Sequence, residues 1–511
     1  MIFHKADNEL STVPRITYIK KQWFYELNFN APAIKMMNIL TDQGRRLLKI
    51  LIKNNLRLTD IPAELYKKLM EVLEFPNPKW LENHRMGRWN KGVPKILKFY
   101  DKVRNRGLWI PRGYMRKLIY QCREMNIPYE IEDRRRRLPE VAYGFCGKLK
   151  PFQEDAVRMM LKRDFGTLSS PTGSGKTVMA LYMISARKQP VMIIVHSKDL
   201  AAQWMERVEE FLKIPGKEIG FIGGGRIKIG QSVTIALVQS LYKNVEEAAP
   251  HVGFLIVDEC HRCPSRIFTE AVAGFDSHFM LGLSATPWRR DNLSNLIFWY
   301  LGDVHHEVDR TGLIRGGDIL EARIIYRETA FAPFHDPVME YSQMLSELTA
   351  NDERNRLIAA DVAKEASAGE GICLVLSDRK AHCSLLWSIL TYKHGISSRL
   401  LTGDLPLSER QAIIDEMEKG DLKVVIATGQ LIGEGFDNRN LASLFLTTPI
   451  KFNGRVLQYI GRVLRPAPGK KQPKIYDYID IKVDVLRASA ASRRKVYGNE
   501  GLSNPLKRGS I

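Results

Sequence analysis

From about residue 146 the chain alternates short apolar runs with stretches of helical period. The runs Phe165–Ser169, Val191–Val195, Val233–Val238, Phe254–Val257 and Met280–Leu283 come first, and Ile372–Leu376, Ser398–Leu401, Val424–Ala427 and Ser443–Leu446 follow. Apolar runs of this length alternating with helical segments predict parallel sheets covered by helices on both faces. Two such sets, about 160 residues each, predict two similar α/β lobes in tandem. The glycine-rich stretch Gly312-Leu313-Ile314-Arg315-Gly316-Gly317 is the expected joint between them.

Residues 1–145 follow another pattern, rich in Lys, Arg and aromatics: Trp23, Phe24, Tyr25, Trp80, Trp89, Phe99, Tyr100, Trp109 and Tyr114. A helix is expected to end at Pro76 and Pro78, a turn at Ile110-Pro111-Arg112-Gly113 and a helix over Met115 to Met125. Each Trp taken singly is expected in a small core. Arg134 to Arg137 read as an exposed basic linker. The tail after Leu486, basic and turn-rich, is expected to be partly disordered. These boundaries give a basic α+β domain at 1–145, lobes at 146–315 and 316–485, and a tail at 486–511.

Charge sharpens this division. The chain of 511 residues carries a formal charge of +20, distributed as +16 over 1–150, −6 over 151–450 and +10 over 451–511. Basic ends around a slightly acidic middle suit a polyanion, with nucleic acid favoured through counterion release. No apolar run approaches the ~18 residues of a membrane span, so no membrane partner is expected. Six cysteines do not make a disulfide framework and point to a reducing cytosol. Cys260 and Cys263 form one CxxC, and without a second pair they read as ordinary thiols.

The candidate chemistry sits at strand ends. Ser170-Pro171-Thr172-Gly173-Ser174-Gly175-Lys176-Thr177 lies between an apolar run and a helix start, which makes an anion cradle of backbone N–H groups at the positive end of a helix dipole. Thr172, Gly173, Ser174 and Gly175 would hold phosphates, Lys176 would reach the β- and γ-phosphates, and Thr177 would hold Mg²⁺. Asp258 and Glu259 end a strongly apolar run. Asp258 suits the ion, and Glu259 suits the orientation and deprotonation of an attacking water. Ser284 and Thr286, at the next strand end, can relay a change of phosphate state. Gln153 carries the donor and acceptor that an adenine edge requires. Arg462 and Arg465, three apart, present guanidinium groups on one helical face, suited to a transferring phosphoryl group. Alone, that spacing also describes an ordinary basic helix. Thr428, with the amides around Gly429, can meet a nucleic-acid phosphate, and Asp437 a ribose hydroxyl or a neighbouring loop.

The ordered set Pro171–Thr177, Asp258–His261, Ser284–Thr286, Thr428-Gly429 with Gly433–Asp437, and Gln458–Arg465 resembles the superfamily-two helicases and translocases over residues 146–480. Within that class Asn351–Asn355, Asp378-Arg379 with His382, and the continuation through Arg290-Asp291 look most like the XPB-like and UvsW-like DNA helicases. The resemblance implies two RecA-like lobes, ATP and Mg²⁺ as cofactors, and a single-stranded tracking strand crossing Ser197, Gln239 and Thr428. His261 then either couples to strand binding or caps its loop. Duplex, forked or branched DNA is the expected partner, in the cytosol of a bacterium or a phage-infected cell. Two other classes stay open: an RNA helicase, and a double-strand translocase of a restriction or defence system. Two departures stand out: Ser170 replaces a Gly or Ala, and Val195-His196-Ser197-Lys198 replaces a Pro-Thr or Pro-Ser.

Overall fold

The structure, a computed structural model, describes residues 47–104, 107–262, 266–285, 294–429, 438–449 and 455–499. The expectations for Trp23, Phe24, Tyr25, Cys263, Thr286 and Asp437 lie outside these residues.

The apolar runs become strands covered on both faces. Every residue of Val191–Val195, Val233–Leu237 and Phe254–Val257 is buried. The first large sheet has the order Arg226–Lys228, Gly220–Gly223, Val233–Leu237, Val191–Val195, Phe254–Val257, Phe279–Ser284, Phe165–Ser169, Val304–Glu307. All pairs in it are parallel except the edge pair with Arg226–Lys228. The second sheet is wholly parallel, in the order Arg323–Thr329, Lys474–Asp480, Leu441–Leu446, Ile372–Ser377, Val424–Thr428, Ser398–Leu401. In each lobe the carboxyl ends of the parallel strands therefore open on one edge, where such sheets place ligands. Within the expected joint, Arg310–Arg315 is a short helix capped by Asp309.

Five strands escape the apolar-run criterion. Lys474–Asp480 carries acids, yet Asp477 and Asp480 are buried because both are paired. Arg493 Nη2 lies 2.7 Å from Asp477 Oδ1, and the Tyr497 hydroxyl donates to Asp477 at 2.9 Å. Arg354 Nε lies 2.9 Å from Asp480, which also accepts from Thr329 at 2.6 Å. Breaking a buried pair of this kind costs about 3–5 kcal/mol. Arg493 and Tyr497 belong to the helix Asp484–Asn499, so the segment expected to be partly disordered is helical to Asn499. Its partner charges lie on a neighbouring strand, which a one-dimensional pattern does not reveal. Asn355 and His382 join this internal brace, with His382 Nε2 2.9 Å from Asn355 Oδ1 and Nδ1 3.0 Å from Ser377 Oγ. Burial, with the Arg354 charge added, pushes the His382 imidazole down to about 3.

Residues 48–133 form a five-stranded mixed sheet, in the order Asp101–Val103, Gly107–Pro111, Asn55–Thr59, Leu48–Ile52, Tyr129–Asp133. The helices Ala63–Val72 and Met115–Glu124 supply Leu65, Leu69, Leu118 and Ile119 to its core. The helix Ser294–Leu301 is apolar from Leu296 onward because it serves two cores. Leu296 and Trp299 pack into the front domain, and Ile297, Phe298 and Leu301 into the first lobe. The turn at Gly113 presses on this helix: a Cβ there would stand 2.3 Å from the Phe298 carbonyl oxygen.

The basic run 134–137 is not an exposed linker. Arg135 is 5% exposed in its side chain and pairs with Asp133 at 2.6 Å and Asp164 at 2.8 Å. Arg136 makes two bonds to Asp276, at 2.9 and 3.1 Å, and Arg137 lies 2.8 Å from His278 Nε2. Arg134 and Arg137 are exposed, and Arg134 pairs in the open with Glu132. These charges fasten the front domain to the first lobe, since their carboxylate partners Asp164 and Asp276 sit in that lobe. Among the described residues no helix is long and apolar enough to cross a membrane.

Candidate active site

The strand Phe165–Ser169 ends in a turn that feeds the 12-residue helix Lys176–Arg187. Gly173 and Gly175 take φ of 88° and 84°, values only glycine holds without strain. Space also demands glycine at 175, where a Cβ would stand 2.4 Å from Gln153 Nε2. Lys176 Nζ donates to the Ser170 carbonyl at 3.1 Å. Ser170, the departure noted above, is fully buried and shares a hydrogen bond with the Ser174 hydroxyl. A methyl or hydrogen there would lose this brace. The Ser170 N–H donates to the Ser284 carbonyl at 2.9 Å and ties the cradle to the neighbouring strand.

Gln153 is buried, and its carboxamide is already engaged. Oε1 accepts from the Lys150 N–H at 2.9 Å, and Nε2 donates to the Ser174 carbonyl at 2.9 Å. One lone pair and one N–H are left for a ligand, while the bonds present hold the cradle in shape.

Asp258 and Glu259 follow the buried strand Phe254–Val257. Burial pushes the Asp258 carboxyl above its ordinary range, and the adjacent Glu259 charge adds to this. The Trp204 indole, donating to Asp258 Oδ2 at 2.8 Å, and the Lys176 ammonium oppose the rise. Glu259 takes φ of 47°, and its N–H donates to Asp258 Oδ1 at 2.8 Å. His261 Nδ1 lies 3.1 Å from Glu259 Oε2 and 3.2 Å from Ser284 Oγ. The histidine thus links the acidic pair to the strand end that carries Ser284.

The helix Arg455–Val463 of the second lobe faces the cradle directly. A Cβ at Gly461 would stand 2.4 Å from Thr172 Cβ, and one at Gly173 would stand 3.4 Å from the Gly461 carbonyl oxygen and 3.5 Å from Arg465 Cγ. Gly461 therefore leaves room for the Thr172 side chain, and Gly173 for the Gly461 carbonyl and the Arg465 side chain, so the two lobes approach closely at the phosphate loop. Arg462 and Arg465 are both partly buried at this seam. Lys470 bonds the carbonyls of Val463 at 2.7 Å and Arg465 at 2.8 Å, capping the end of the arginine segment. Burial, then the Arg465 charge, lowers the Lys470 ammonium to about 8.

Ser197, Gln239 and Thr428 all stand at carboxyl ends of strands. Ser197 caps the helix Lys198–Leu212, accepting from the Leu200 N–H at 3.3 Å. Gln239 is exposed on the short helix Val238–Leu241, and Thr428 closes Val424–Thr428. The Tyr459 hydroxyl donates to the Gly429 carbonyl, joining this strand end to the arginine helix. Trp204, Tyr459 and Lys470 escaped the sequence reading. Tyr459 lies within the quoted arginine motif, whereas Trp204 and Lys470 act from segments that carry no motif.

The cradle fits a polyphosphate. It offers helix N-terminal amides, an ammonium group and the Thr172 hydroxyl, which is buried without a hydrogen-bond partner among the described residues. Thr177 and Asp258 carry oxygen donors of the kind Mg²⁺ takes and are the residues that would hold it.

Residues 147–289 match the family described as type III restriction enzyme, res subunit, and residues 353–467 match the helicase conserved C-terminal domain. A protein of Acanthamoeba polyphaga mimivirus, provisionally named an ATP-dependent RNA helicase, is 24% identical over 372 residues, 69% of this chain and 68% of its own. The DNA 3'-5' translocase XPB2 of Sulfurisphaera tokodaii is 36% identical over 149 residues, 29% of this chain and 33% of its own. The ATP-dependent DNA helicase uvsW of Enterobacteria phage T4 is 24% identical over 362 residues, 67% of this chain and 70% of its own. The chain thus spans about two thirds of the mimivirus and phage relatives and a third of XPB2. In fold it is similar to S. cerevisiae Dbp5 bound to RNA and ADP BeF3, with a TM-score of 0.50 and 16% identity over 70% of this chain and 90% of that one.

Proposed function

This chain belongs to the superfamily-two helicases, and on that premise we propose that it is an ATP-driven motor on duplex, forked or branched DNA, serving repair, recombination or replication. The observation that carries the reading is the close approach of the arginine helix, at Gly461 and Arg465, to the Thr172 side chain and Gly173 of the phosphate loop. One nucleotide bound there touches both lobes, so hydrolysis and lobe movement share one set of contacts.

ATP enters with its phosphates on the amides of 172–177 and the Lys176 ammonium. The free donor and acceptor of Gln153 read the adenine edge. Thr177 and Asp258 would hold Mg²⁺, which would supply screening of the phosphate charge. Glu259 orients the attacking water and takes its proton. Arg462 and Arg465 stabilise the charge that spreads over the transferring phosphoryl group. Loss of the γ-phosphate reaches Ser284 through the Glu259–His261–Ser284 contacts, and Thr286 continues that relay. Asp437 completes the nucleotide side from the second lobe. Ser197, Gln239 and Thr428 hold the backbone of a tracking strand, which carries little sequence information. The front domain, basic and bolted to the first lobe, selects the substrate.

An RNA helicase is the second reading, favoured by the name of the mimivirus relative. The test compares ATP turnover with no nucleic acid and with single-stranded DNA, duplex DNA, forked DNA and RNA of equal length. Turnover should rise about tenfold or more with DNA and most with the fork. Stimulation by RNA alone would establish the second reading instead.

A further inference from the structure

Residues 74–98 of the front domain form an arm that the motor reading leaves unused. Its root is a two-stranded ribbon, Glu74–Pro76 against Ile96–Lys98, and its shaft is the helix Pro78–Arg85, in which no residue is buried. Polar braces hold it instead of a core. Asn77 Nδ2 donates to the Pro94 carbonyl at 2.8 Å, Asn83 Nδ2 to Asn90 Oδ1 at 3.0 Å, and Asn90 Nδ2 to the Trp80 carbonyl at 3.2 Å. Gly87 and Gly92, with φ of 64° and 74°, turn the chain on either side of a tip. Trp89 stands at that tip and is 84% exposed, against the expectation of core packing for a single Trp. Leu81, Met86 and Ile96 on the same arm are 44 to 49% exposed.

A chain that builds a braced arm to hold an indole in water is presenting that indole to something. The charge around it says what. Residues 74–98 carry six Lys or Arg and two Glu, and one of the two acids, Glu74, is paired at the root with Lys98 and accepts a hydrogen bond from the Tyr100 hydroxyl. Lys91 Nζ lies 5.5 Å from the centre of the Trp89 ring, and Arg88 is exposed beside it. An aromatic face set among cations fits a polyanion that exposes flat rings, which is an unpaired base between two phosphates. It does not fit an acidic peptide as well, because nothing there would use the indole face. A single ring takes a single base, so the fit is to a branch point rather than to a long single strand. The arm's base is also connected to the motor: Phe99 packs on Trp299, 5.4 Å between ring centres, on the helix Ser294–Leu301 that follows the Ser284 strand.

We infer that the arm is a wedge, in which Trp89 stacks on an unpaired base at a nucleic-acid junction while Arg88 and Lys91 hold the flanking phosphates. The inference rests on the motor reading and adds the substrate-recognising residue. Nucleotide-free binding of the full chain to a forked duplex, a linear duplex and a single strand of equal length tests it, by fluorescence anisotropy. Trp89→Ala should weaken fork binding about tenfold and leave linear duplex binding within about twofold, the scale of one lost stack. Trp89→Phe should restore fork binding, and Arg88→Ala with Lys91→Ala should make the salt dependence shallower by about two phosphate contacts. The fold is safe in each case because the side chains are exposed. Equal loss on all three DNAs would overturn the wedge, as would unchanged fork binding, which would assign the arm to a protein partner. If the unaltered chain binds none of the three, the motor reading itself fails, so the two failures are distinguishable.

Discussion

Replacing Arg465 by alanine lowers the rate of ATP turnover by about 10³–10⁵, the scale of a lost arginine finger, while ATP affinity changes by less than about tenfold. Arg462→Ala behaves similarly. The asymmetry between rate and affinity follows from where the charge develops. A loose phosphoryl-transfer transition state spreads negative charge over equatorial oxygens that the ground state already solvates in part. Guanidinium groups brought by the far lobe meet that charge only when the seam is closed, and Arg465 already lies along Gly173. Arg465→Lys keeps the charge and loses the planar fork, so it should recover only part of the rate. Single-turnover phosphate release, measured beside equilibrium binding of a fluorescent ATP analogue, separates the two quantities. A variant with weakened binding and an unchanged single-turnover rate would show that the arginines act elsewhere.

Lys176→Ala abolishes turnover, with a loss of at least about 10³, and weakens nucleotide binding as well. Unlike the arginines, this ammonium belongs to the cradle and acts on bound ATP in both lobe arrangements. Its hydrogen bond to the Ser170 carbonyl means that the truncation leaves one acceptor without a partner, a cost of about 1–3 kcal/mol. The variant should therefore melt at a somewhat lower temperature yet remain folded, which circular dichroism checks. Full turnover in the folded variant would refute the assignment of the cradle.

Both lobes were legible in the chain because their central strands are buried on two faces, so no polar residue interrupts Val191–Val195 or Phe254–Val257. Most edge strands and the acid-bearing strand were not, although the edge strand Ser398–Leu401 was. Val304–Glu307 and Lys474–Asp480 read as polar, and the latter is buried only because Arg493, Arg354 and two hydroxyl-bearing side chains satisfy its acids from other elements. The same blindness turned the helix Asp484–Asn499 into a tail and Arg135 to Arg137 into a linker. Charge runs look solvated until their partners, far away in sequence, are known. At the site, glycine spacing and strand-end acids announced the cradle, since their job is local. The supports did not: Trp204 reaches Asp258 from a neighbouring helix, and Lys470 caps the arginine segment from a loop. Nor could the sequence separate an exposed Trp89 from a buried one, because its exposure depends on an arm braced by asparagines instead of a core.

The shared nucleotide site is tested most directly by a crystal structure of the chain with ADP, beryllium fluoride and a forked DNA. The account predicts guanidinium nitrogens of Arg462 and Arg465 within hydrogen-bond distance, about 2.7–3.2 Å, of the γ-phosphate mimic held by Lys176. A nucleotide bound by the first lobe alone, with both arginines turned away from the seam, would contradict it.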